Sequence, residues 1–246
     1  MVRENFPNAL LIENSNNLGF SRAVNQALER ADGDYFLCLN NDAWLCPESL
    51  DRLLSFMENH PDTGIVGGKI LNADGSLQFS ARSFPTFTTA LFNRTSLLTR
   101  LFPRNRFSRR YLLNDRDPSH VLEVDWVSGS FLMIRRATRD AIGLLDERFF
   151  LFCEDVDWCL RAKRAGWKVI YFPDAVAVHY WEKRPNPFQA ELAHHQSMFR
   201  YYRKHLRRTS LLDPVVGAGI SLRALAVLSR LFFSSLRRNG KITSSP

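Results

Sequence analysis

The sequence has few of the features that mark secreted, disulfide-rich or membrane-embedded proteins. Its first eight residues contain no apolar segment, so we predict no signal peptide. There are only four cysteines, none in CxxC spacing: Cys38, Cys46, Cys153 and Cys159. This disfavours a zinc finger or a disulfide scaffold and favours reduced thiols in the cytoplasm. No internal repeat or low-complexity segment is visible.

The composition is that of a globular protein, but its charge is uneven. Hydrophobic residues make up 45% of the 246 residues, enough for one α/β domain with a small appendage. Residues 183–246 contain 12 Lys and Arg against 2 Asp and Glu, a net charge of +10 in a chain of net charge +8. A basic segment on a near-neutral body indicates an anionic membrane surface or nucleic acid as partner, or a solvated face with none.

Apolar runs and amphipathic segments alternate in the first part of the chain. We predict strands at 9–13, 35–39 and 64–71, and helices at 20–31 and 48–59. Asp74-Gly75 predicts a hairpin turn. This alternation favours an α/β fold with a doubly wound, mostly parallel sheet. Ligands of such sheets gather at the carboxyl ends of the strands, where Asn40-Asn41-Asp42 lies.

The remainder of the chain divides into three regions. Residues 83–118 hold seven arginines among aromatics and prolines, and we interpret them as an insertion or loop. Strands follow at 121–127, 130–134 and 168–172, the last stopped by Pro173, and helices at 136–142 and 154–166. We therefore predict one domain over 1–182 and a basic helical tail over 183–246.

The tail from Leu211 to Arg238 is apolar but carries Arg223, Arg230 and Arg237. No stretch in it reaches the roughly 18 to 20 uninterrupted apolar residues that a spanning helix needs. An amphipathic helix on a membrane surface fits better. A helix packed on the body of the protein or on a second subunit fits equally well.

Three polar features could carry chemistry. Asp42 follows a strand among asparagines, which suits a hard divalent cation but equally a turn or helix cap. In the segment Phe149–Arg161, carboxylates lie against aromatics, an environment that can create a general base. Helical spacing also allows Glu154, Asp157 and Arg161 to form a structural ion-pair face. His179 follows an alternating apolar segment and could ligate a metal, or serve as a hydrogen-bonded structural residue.

Taken in order, several segments resemble the family 2 glycosyltransferases of the GT-A fold, in particular their bacterial rhamnosyltransferase-like branch. The matching segments span about residues 8–182: 17–25, Leu39-Asn-Asn-Asp42, 60–68, Asp74-Gly-Ser-Leu-Gln78, Trp126-Val-Ser-Gly-Ser130, 143–150, 154–161 and 173–179. The family begins with a strand–loop–helix unit that this sequence does not show, so the resemblance implies an N-terminally truncated GT-A fold.

The resemblance assigns a role to each matching position. It implies that Asp42 and His179 hold Mg²⁺ or Mn²⁺ against the donor diphosphate, with Asn40 at the first acidic position of the metal motif. It implies that Asp155 is the general base, with Glu154 beside it. The remaining positions would approach the nucleotide (Asn17, Gly19, Asn25, Asn40, Asn41) or the donor and acceptor sugars (Trp126, Gly129, Ser130).

The implied activity is inverting transfer of a sugar, for which this branch suggests rhamnose, from a dTDP- or UDP-linked donor to a glycan or polyprenyl-linked acceptor. Such an enzyme of cell-surface polysaccharide synthesis would lie in the cytoplasm, with peripheral contact at the inner face of the membrane. The alternative is a non-catalytic relative that binds a membrane or a partner through its basic tail. Nucleic acid is disfavoured because no recognition motif accompanies the arginines.

Overall fold

The computed structural model describes residues 2–86, 111, 113, 116–180 and 186–242, with side chains described as far as 234. Most of the predicted insertion at 83–118 lies outside these residues. The described helices are α1 (Val2–Asn5), α2 (Phe20–Arg30), α3 (Ser49–Asn59), α4 (Arg136–Ile142), α5 (Glu154–Arg164), α6 (Pro187–Tyr201), a π-helix (Tyr202–Leu206), a 3-10 turn (Ser210–Leu212) and α7 (Asp213–Ile242). The described strands are β1 (Tyr35–Leu39), β2 (Ala43–Leu45), β3 (Thr63–Leu71), β4 (Leu77–Gln78), β5 (Ala81–Arg82), β6 (Leu122–Glu123), β7 (Trp126–Val127), β8 (Phe131–Arg135) and β9 (Lys168–His179).

The central sheet has the strand order β1-β8-β3-β9-β2, with β4 beside β3 and β6 beside β9. The α/β class is confirmed, but the expectation of a mostly parallel sheet is wrong. Among the described pairs only β3 and β9 run parallel, because β8 lies antiparallel between β1 and β3. The cause is the point at which β8 enters the sheet. Phe131, the first residue of β8, pairs with Leu39, the last residue of β1. β8 therefore begins at the carboxyl end of β1 and runs in the opposite direction.

The strand predicted at residues 9–13 does not form. Leu10 and Leu11 are 73% and 40% exposed, and no strand in the described part of the chain pairs with them. An apolar run becomes a strand only where a neighbouring strand supplies partners for its backbone N–H and C=O groups. The apolar pattern therefore predicted the wrong structure for this segment.

Strand β9 is longer than the sequence predicts, because it continues through Pro173 to His179. Its register against β3 shifts between Phe172, opposite Gly68, and Val176, opposite Lys69. The extra residues form a bulge that accommodates a proline without a backbone N–H. Because the strand does not stop at Pro173, it carries His179 to the edge of the sheet.

The single strand predicted over 121–127 is instead two short ones. β6 pairs with β9 in the main sheet, whereas β7 pairs with β5 in a separate two-stranded ladder. The strand β8 and the helix α4 lie within one residue of their predicted positions. Asp74-Gly75 forms the predicted turn, with Gly75 at φ 79° and β4 folded back on β3.

Neighbouring residues of β3 face opposite cores. Ile65 belongs to the core that also contains Trp158 of α5, whereas Val66 belongs to the core with Leu53 and Met57 of α3. Both residues are fully buried, as expected for a strand covered by helices on both faces. This two-sided burial fixes the strand ends, and therefore the position of the polar groups that follow them.

The C-terminal segment begins against the body of the protein. Asn186 caps α6 by accepting from the backbone N–H of Gln189, and Ser197 Oγ donates to Leu151 O at 2.9 Å. The following α7 packs on α6, with Gly217 next to the ring of Phe199. The predicted division into 1–182 and 183–246 stays a prediction, but residues after 186 contact the segment that precedes α5.

The helix α7 leaves large apolar side chains exposed, among them Leu222, Leu225, Phe232 and Phe233. Within the 25-residue span Ser210–Ser234, a stretch of 18 residues reaches a mean hydropathy of 1.7, enough by length and composition alone to cross a membrane. The sequence argument against spanning counted uninterrupted apolar residues, whereas mean hydropathy tolerates single arginines, so the choice between a spanning helix and a surface helix stays a prediction.

Candidate active site

Asp42 and His179 meet at the edge of the sheet. Ala43, the first residue of β2, pairs with His179, the last of β9, so the preceding Asp42 lies beside the histidine ring. Asp42 Oδ1 lies 3.0 Å from His179 Nε2, and Tyr180 N donates to Asp42 O at 2.7 Å. The imidazole is buried, and the carboxylate is about one-third exposed.

This pair fits a divalent cation. Two ligand atoms bound at right angles to Mg²⁺ at about 2.0–2.1 Å lie about 3 Å apart, which matches the separation of Asp42 Oδ1 and His179 Nε2. Without a cation, a carboxylate and an imidazole nitrogen can approach this closely only if a proton lies between them. The partial exposure of Asp42 leaves a side from which a diphosphate could complete the coordination.

The two asparagines of the Asn40-Asn41-Asp42 segment lie differently. Asn40 is half-buried, and its Nδ2 is 3.4 Å from His179 Nε2, so it belongs to the same cluster. Asn41 is exposed and points away from the sheet core. The structure therefore brings Asn40, Asp42 and His179 together and leaves Asn41 at the surface.

Asp155 is held by the loop that precedes β8. Its Oδ2 accepts from Gly129 N at 3.1 Å and its Oδ1 from Val156 N at 2.8 Å. Ser130, which follows Gly129 in the chain, accepts through its backbone O from Asn40 N at 3.1 Å. Gly129 and Ser130 thus connect the carboxylate of Asp155 to the segment Asn40–Asp42. The predicted base and the predicted metal ligands therefore lie at one edge of the sheet.

The surroundings of Asp155 are suited to a general base. A small pocket beside the carboxylate is lined by apolar groups, including Phe20, Leu132, Leu145 and Trp158. Burial raises the pKa of Asp155, while the hydrogen bonds from Gly129 and Val156 oppose that shift. The result is a carboxylate that accepts a proton more readily than an exposed aspartate.

Glu154 differs from Asp155 in its hydrogen bonding. It is 5% exposed, and its Oε2 has no hydrogen-bond partner among the described residues. Burial, together with the negative charge of Asp155, raises the pKa of Glu154 well above its usual range. We therefore assign the proton of this carboxyl pair to Glu154 and the negative charge to Asp155.

The backbone before α5 is strained. Phe152 and Cys153 have φ values of 69° and 66°, a left-handed conformation that non-glycine residues rarely adopt. Such strain persists only where surrounding contacts enforce it, and it clusters at functional sites. Here the strained pair directly precedes Glu154 and Asp155 and turns α5 so that its N-terminus faces Gly129.

The loop before α2 supports this segment. Phe20 N donates to Phe150 O at 2.8 Å, and a Cβ on Gly19 would lie 2.5 Å from that same oxygen. Only glycine allows this approach, particularly at its φ of 84°. The exposed Asn17 accepts from Gly19 N through Oδ1 at 3.0 Å and shapes the turn.

Asn25 is buried between α2 and the segment that precedes α5. It is 3% exposed, and its amide exchanges two hydrogen bonds with the backbone of Leu145, one donated and one accepted. It also donates to Glu147 Oε1 at 3.2 Å. These bonds join α2 to the segment before α5, and contact between Asn25 and the nucleotide stays a prediction.

Trp126 lies beside a cation that the sequence argument missed. Its Nε1 donates to Ser83 O at 2.9 Å, and the guanidinium of Arg82 lies 5.8 Å from the centroid of its indole. Arg82 also lies 5.9 Å from the centroid of Tyr111, and its positive charge lowers the pKa of Asp155. Arg82 follows the quoted Asp74–Gln78 segment by four residues, but nothing in its local pattern signals contact with Trp126.

Asp157 is structural, as the helical spacing allowed. Its Oδ2 accepts from Arg161 Nε at 2.9 Å, and its Oδ1 lies 2.6 Å from both Lys204 Nζ and His205 Nε2. Burial raises the pKa of Asp157, but the bonds from His205 and Lys204 outweigh it and hold the pKa below its usual value. The π-helix is therefore attached to α5 by a buried ion-pair network.

The fold and the paired acidic sites at one sheet edge define a nucleotide-sugar transferase of the GT-A type. Comparison with solved structures agrees on the fold: GalNAc-T7 with UDP, GalNAc and Mn²⁺ matches with a TM-score of 0.53 at 11% identity, over 78% of this chain and 36% of that one. Mannosyltransferase PcManGT from Pyrobaculum calidifontis in complex with GDP-Man and Mn²⁺ matches with a TM-score of 0.51 at 17% identity, over 98% of this chain and 65% of that one.

Sequence comparison gives the family. Residues 1–209 match the model for glycosyltransferase-like family 2. The chain is 31% identical to N-acetylglucosaminyl-diphospho-decaprenol L-rhamnosyltransferase of Mycobacterium tuberculosis, over 80% of this chain and 67% of that protein. It is 26% identical to rhamnosyltransferase WbbL of Escherichia coli, over 72% of this chain and 65% of that protein. The chain belongs to glycosyltransferase family 2, in its rhamnosyltransferase-like branch.

Proposed function

We propose that this chain transfers rhamnose from a nucleoside diphosphate donor to a polyprenyl-diphosphate-linked sugar, with inversion at the anomeric carbon. The observation that carries the proposal is the link between Asp155 and Asp42–His179. Gly129 N bonds Asp155, and Ser130 O bonds Asn40 N, within one two-residue segment. A base and a diphosphate-binding centre joined in this way can act on the two ends of one displacement.

In this mechanism Asp155 accepts the proton of the acceptor hydroxyl as that oxygen attacks the anomeric carbon. The bond between the anomeric carbon and the phosphate oxygen breaks on the opposite face, and the nucleoside diphosphate leaves with the electron pair. This is the chemistry of the base in an inverting glycosidase, with a sugar hydroxyl in place of water. Gly129 N–H orients the carboxylate, and the apolar pocket around it maintains its basicity.

Asp42 and His179 would hold a divalent cation. When bound, that cation neutralises charge on the diphosphate leaving group. The 3.0 Å separation of the two ligand atoms supports the assignment, as do the names of the two solved structures, both with Mn²⁺ and a nucleotide or nucleotide sugar. Mn²⁺ or Mg²⁺ is the cofactor we expect.

The donor and acceptor classes come from the curated relatives. The name of the Mycobacterium tuberculosis relative specifies an L-rhamnosyl group and a diphospho-decaprenol acceptor, and that of the Escherichia coli relative specifies a rhamnosyl group. We extend these classes to this chain because the family match over residues 1–209 covers the segments that hold Asp42, Asp155 and His179. For the nucleotide of the donor we propose dTDP or UDP, the two classes that the sequence resemblance implies.

A polyprenyl acceptor lies in a membrane, and α7 offers a surface suited to one. Leu222, Leu225, Phe232 and Phe233 are all exposed on it, and Arg230 is exposed among them. Exposed apolar and basic side chains on one helix are typical of contact with anionic lipid. We therefore propose that α7 holds the enzyme at the cytoplasmic face of the membrane, near its acceptor.

The deciding experiment incubates the purified chain with dTDP-rhamnose, Mn²⁺ and a polyprenyl-diphosphate-linked N-acetylglucosamine. Mass spectrometry should show an acceptor heavier by one deoxyhexose, and NMR should show the anomeric configuration opposite to that of the donor. Retention of configuration would refute the single displacement. Absence of transfer with dTDP- and UDP-linked donors alike would refute the enzymatic proposal.

Flotation with lipid vesicles tests the membrane contact separately. We expect the chain to float with vesicles containing phosphatidylglycerol, and a Phe232→Ser/Phe233→Ser variant to remain in solution. A Leu50→Ser variant changes an exposed apolar residue of α3 and should float like the wild type. Equal flotation of the wild type and the α7 variant would show that α7 does not bind the membrane.

A further inference from the structure

The hairpin segment Asp74–Gln78 contributes an amide to the metal-binding pair. Gln78 lies on β4, which pairs with β3 through Ile70, and on the other side of β3 Ile70 pairs with Ala177 of β9. This arrangement brings Gln78 to the ring of His179, 101 residues away. Gln78 Oε1 lies 2.8 Å from His179 Nδ1. Gln78 therefore faces Nδ1 of the ring, whereas Asp42 faces the other nitrogen, Nε2.

The orientation of the Gln78 amide is fixed from the turn. Its Nε2 donates to Asn72 Oδ1 at 3.3 Å, and Asn72 Nδ2 donates in turn to Ser76 Oγ at 2.9 Å. The Ser76 hydroxyl donates to Asp74 Oδ1 at 2.6 Å. A carboxylate can only accept hydrogen bonds, so the direction of donation is set at Asp74 and passes through Ser76 and Asn72 to Gln78.

The direction of this chain decides which nitrogen of His179 carries hydrogen. Because Gln78 Nε2 is already donating to Asn72, its Oε1 must be the atom that faces the ring, and an oxygen can only accept. His179 Nδ1 must therefore carry a hydrogen, which in the neutral ring leaves the lone pair on Nε2. That lone pair is directed toward Asp42 Oδ1, 3.0 Å away, and a cation bound between the two atoms would take the place of the proton that they share without metal.

We propose that Gln78 is a positioning residue, which holds His179 in the tautomer whose Nε2 can bind the cation. The inference rests on the proposed metal site. Outer hydrogen-bond partners of metal-binding histidines act in this way in general, and their loss weakens metal affinity by about 10- to 100-fold. The role also accounts for Asp74–Gln78, a segment to which the family resemblance assigned no chemistry.

Two substitutions of Gln78 distinguish its role as a hydrogen-bond acceptor for His179 Nδ1 from its role in packing. Gln78→Leu has a similar size but offers no acceptor, so His179 should become a mixture of tautomers and Mn²⁺ affinity should fall about 10-fold. Gln78→Glu retains an acceptor oxygen for Nδ1 and should keep both the tautomer and most of the affinity. Circular dichroism melting curves establish that both variants fold.

The experiment reads the tautomer from the ¹⁵N chemical shifts of the His179 ring in a metal-free Asp42→Ala background, where no carboxylate shares a proton with Nε2, at a pH where the ring is neutral. It then measures Mn²⁺ affinity, with Asp42 intact, by electron paramagnetic resonance in the presence of dTDP. A Gln78→Leu variant with wild-type shifts and affinity would overturn the proposal. Equal losses in Gln78→Leu and Gln78→Glu would also overturn it, because only one of them lacks the acceptor.

These two readouts distinguish failure of the inference from failure of the proposed function. If the wild type does not bind Mn²⁺ with dTDP, the metal site itself is refuted. The nitrogen shifts need no metal, so they still report whether Gln78 sets the tautomer. A shift change in Gln78→Leu, absent in Gln78→Glu and accompanied by weaker Mn²⁺ binding, is the result we expect.

Discussion

Gly129 donates its backbone N–H to Asp155 Oδ2 at 3.1 Å, and this bond fixes the carboxylate at the point where β8 begins. Position 129 lies next to both Asp155 and Phe20: a Cβ there would lie 3.6 Å from Asp155 Cβ and 3.4 Å from the ring of Phe20, which are ordinary van der Waals distances. The bond ties the N-terminus of α5 to the edge of the sheet. It gives Asp155 a defined orientation, which a general base requires.

We expect Asp155→Asn to reduce the transfer rate by about 10²- to 10⁴-fold, because an amide cannot accept the acceptor proton. Binding of dTDP with Mn²⁺ should remain, since it depends on Asp42 and His179. Rates from a radiolabelled donor and affinities from calorimetry test the two statements. The control is Asp140→Asn, an exposed aspartate of α4 that should keep wild-type rates. Loss of nucleotide binding in Asp155→Asn would contradict its assignment as a base.

Glu154→Gln should retain most of the activity, unlike the neighbouring substitution. Burial and the charge of Asp155 raise the pKa of Glu154, so the neutral carboxyl is replaced by a neutral amide. Because burial also raises the pKa of Asp155, the rate should rise with pH as Asp155 loses its proton, with a midpoint above that of an exposed aspartate. A pH–rate profile of both enzymes checks this. A loss in Glu154→Gln as large as that in Asp155→Asn would assign the base to Glu154.

Asp42→Ala and His179→Ala should each lose metal-dependent nucleotide binding. Each removes one of two ligand atoms that lie 3.0 Å apart, so the cation would lose one of its two proposed protein ligands. Calorimetric titration of dTDP with and without Mn²⁺ gives the measurement. Asp51→Ala, at an exposed position in the first turn of α3, serves as the matched acidic control. Unchanged Mn²⁺-dependent binding in either site variant would remove that residue from the metal site.

Gly19→Ala should destabilise the protein more than Gly75→Ala does. Both glycines have positive φ values, 84° and 79°, so alanine is strained at either position. A Cβ on Gly19 would also lie 2.5 Å from Phe150 O, whereas a Cβ on Gly75 would meet nothing within 4 Å. The difference in the free energy of unfolding, measured by urea titration, should be about 1–3 kcal/mol. Equal losses would mean that the backbone at Gly19 shifts without cost.

Asp157 should make the free energy of unfolding depend on pH in the acidic range. Its pKa lies below the usual value of about 3.9, so the stabilisation is fully present above about pH 4 and is lost as the pH falls through the folded-state pKa. Asp157→Asn removes the charge that Arg161 and Lys204 face, although Lys204 keeps Asp146 at 2.7 Å, and should cost about 1–3 kcal/mol near neutral pH. The difference in the free energy of unfolding between the variant and the wild type should be smaller at pH 3, which the midpoints of urea unfolding measure. Asp174→Asn, with an exposed side chain, should behave like the wild type at both pH values.

Much of the local structure follows from the sequence, but pairing does not. The helices α3 and α4 and the turn at Asp74-Gly75 lie where spacing and turn chemistry predict them. The apolar run at 9–13 has no partner strand and stays unpaired, and β9 passes through Pro173 because a bulge accommodates it. Local patterns report propensity, whereas a strand exists only when another strand accepts its hydrogen bonds.

The candidate site divides in the same way. Sequence motifs identified Asp42, Asp155 and His179 because the resemblance carries residue identity directly. They placed Asn25 at the nucleotide, which stays a prediction, but they did not predict that its amide bonds the backbone of Leu145. Arg82 could not be found this way, because its position beside Trp126 depends on the pairing of β5 with β7.

The sequence by itself determined the chemical groups and the family: two acidic segments, a histidine after a strand, and a chain that belongs to glycosyltransferase family 2. The tertiary structure alone decided how those groups act on each other. Gln78 faces His179 across 101 residues because three strands meet in register, and Gly129 reaches Asp155 because β8 enters the sheet from the site edge. Hydrogen-bond direction and burial depend on distances between distant segments, and only the folded chain sets those distances.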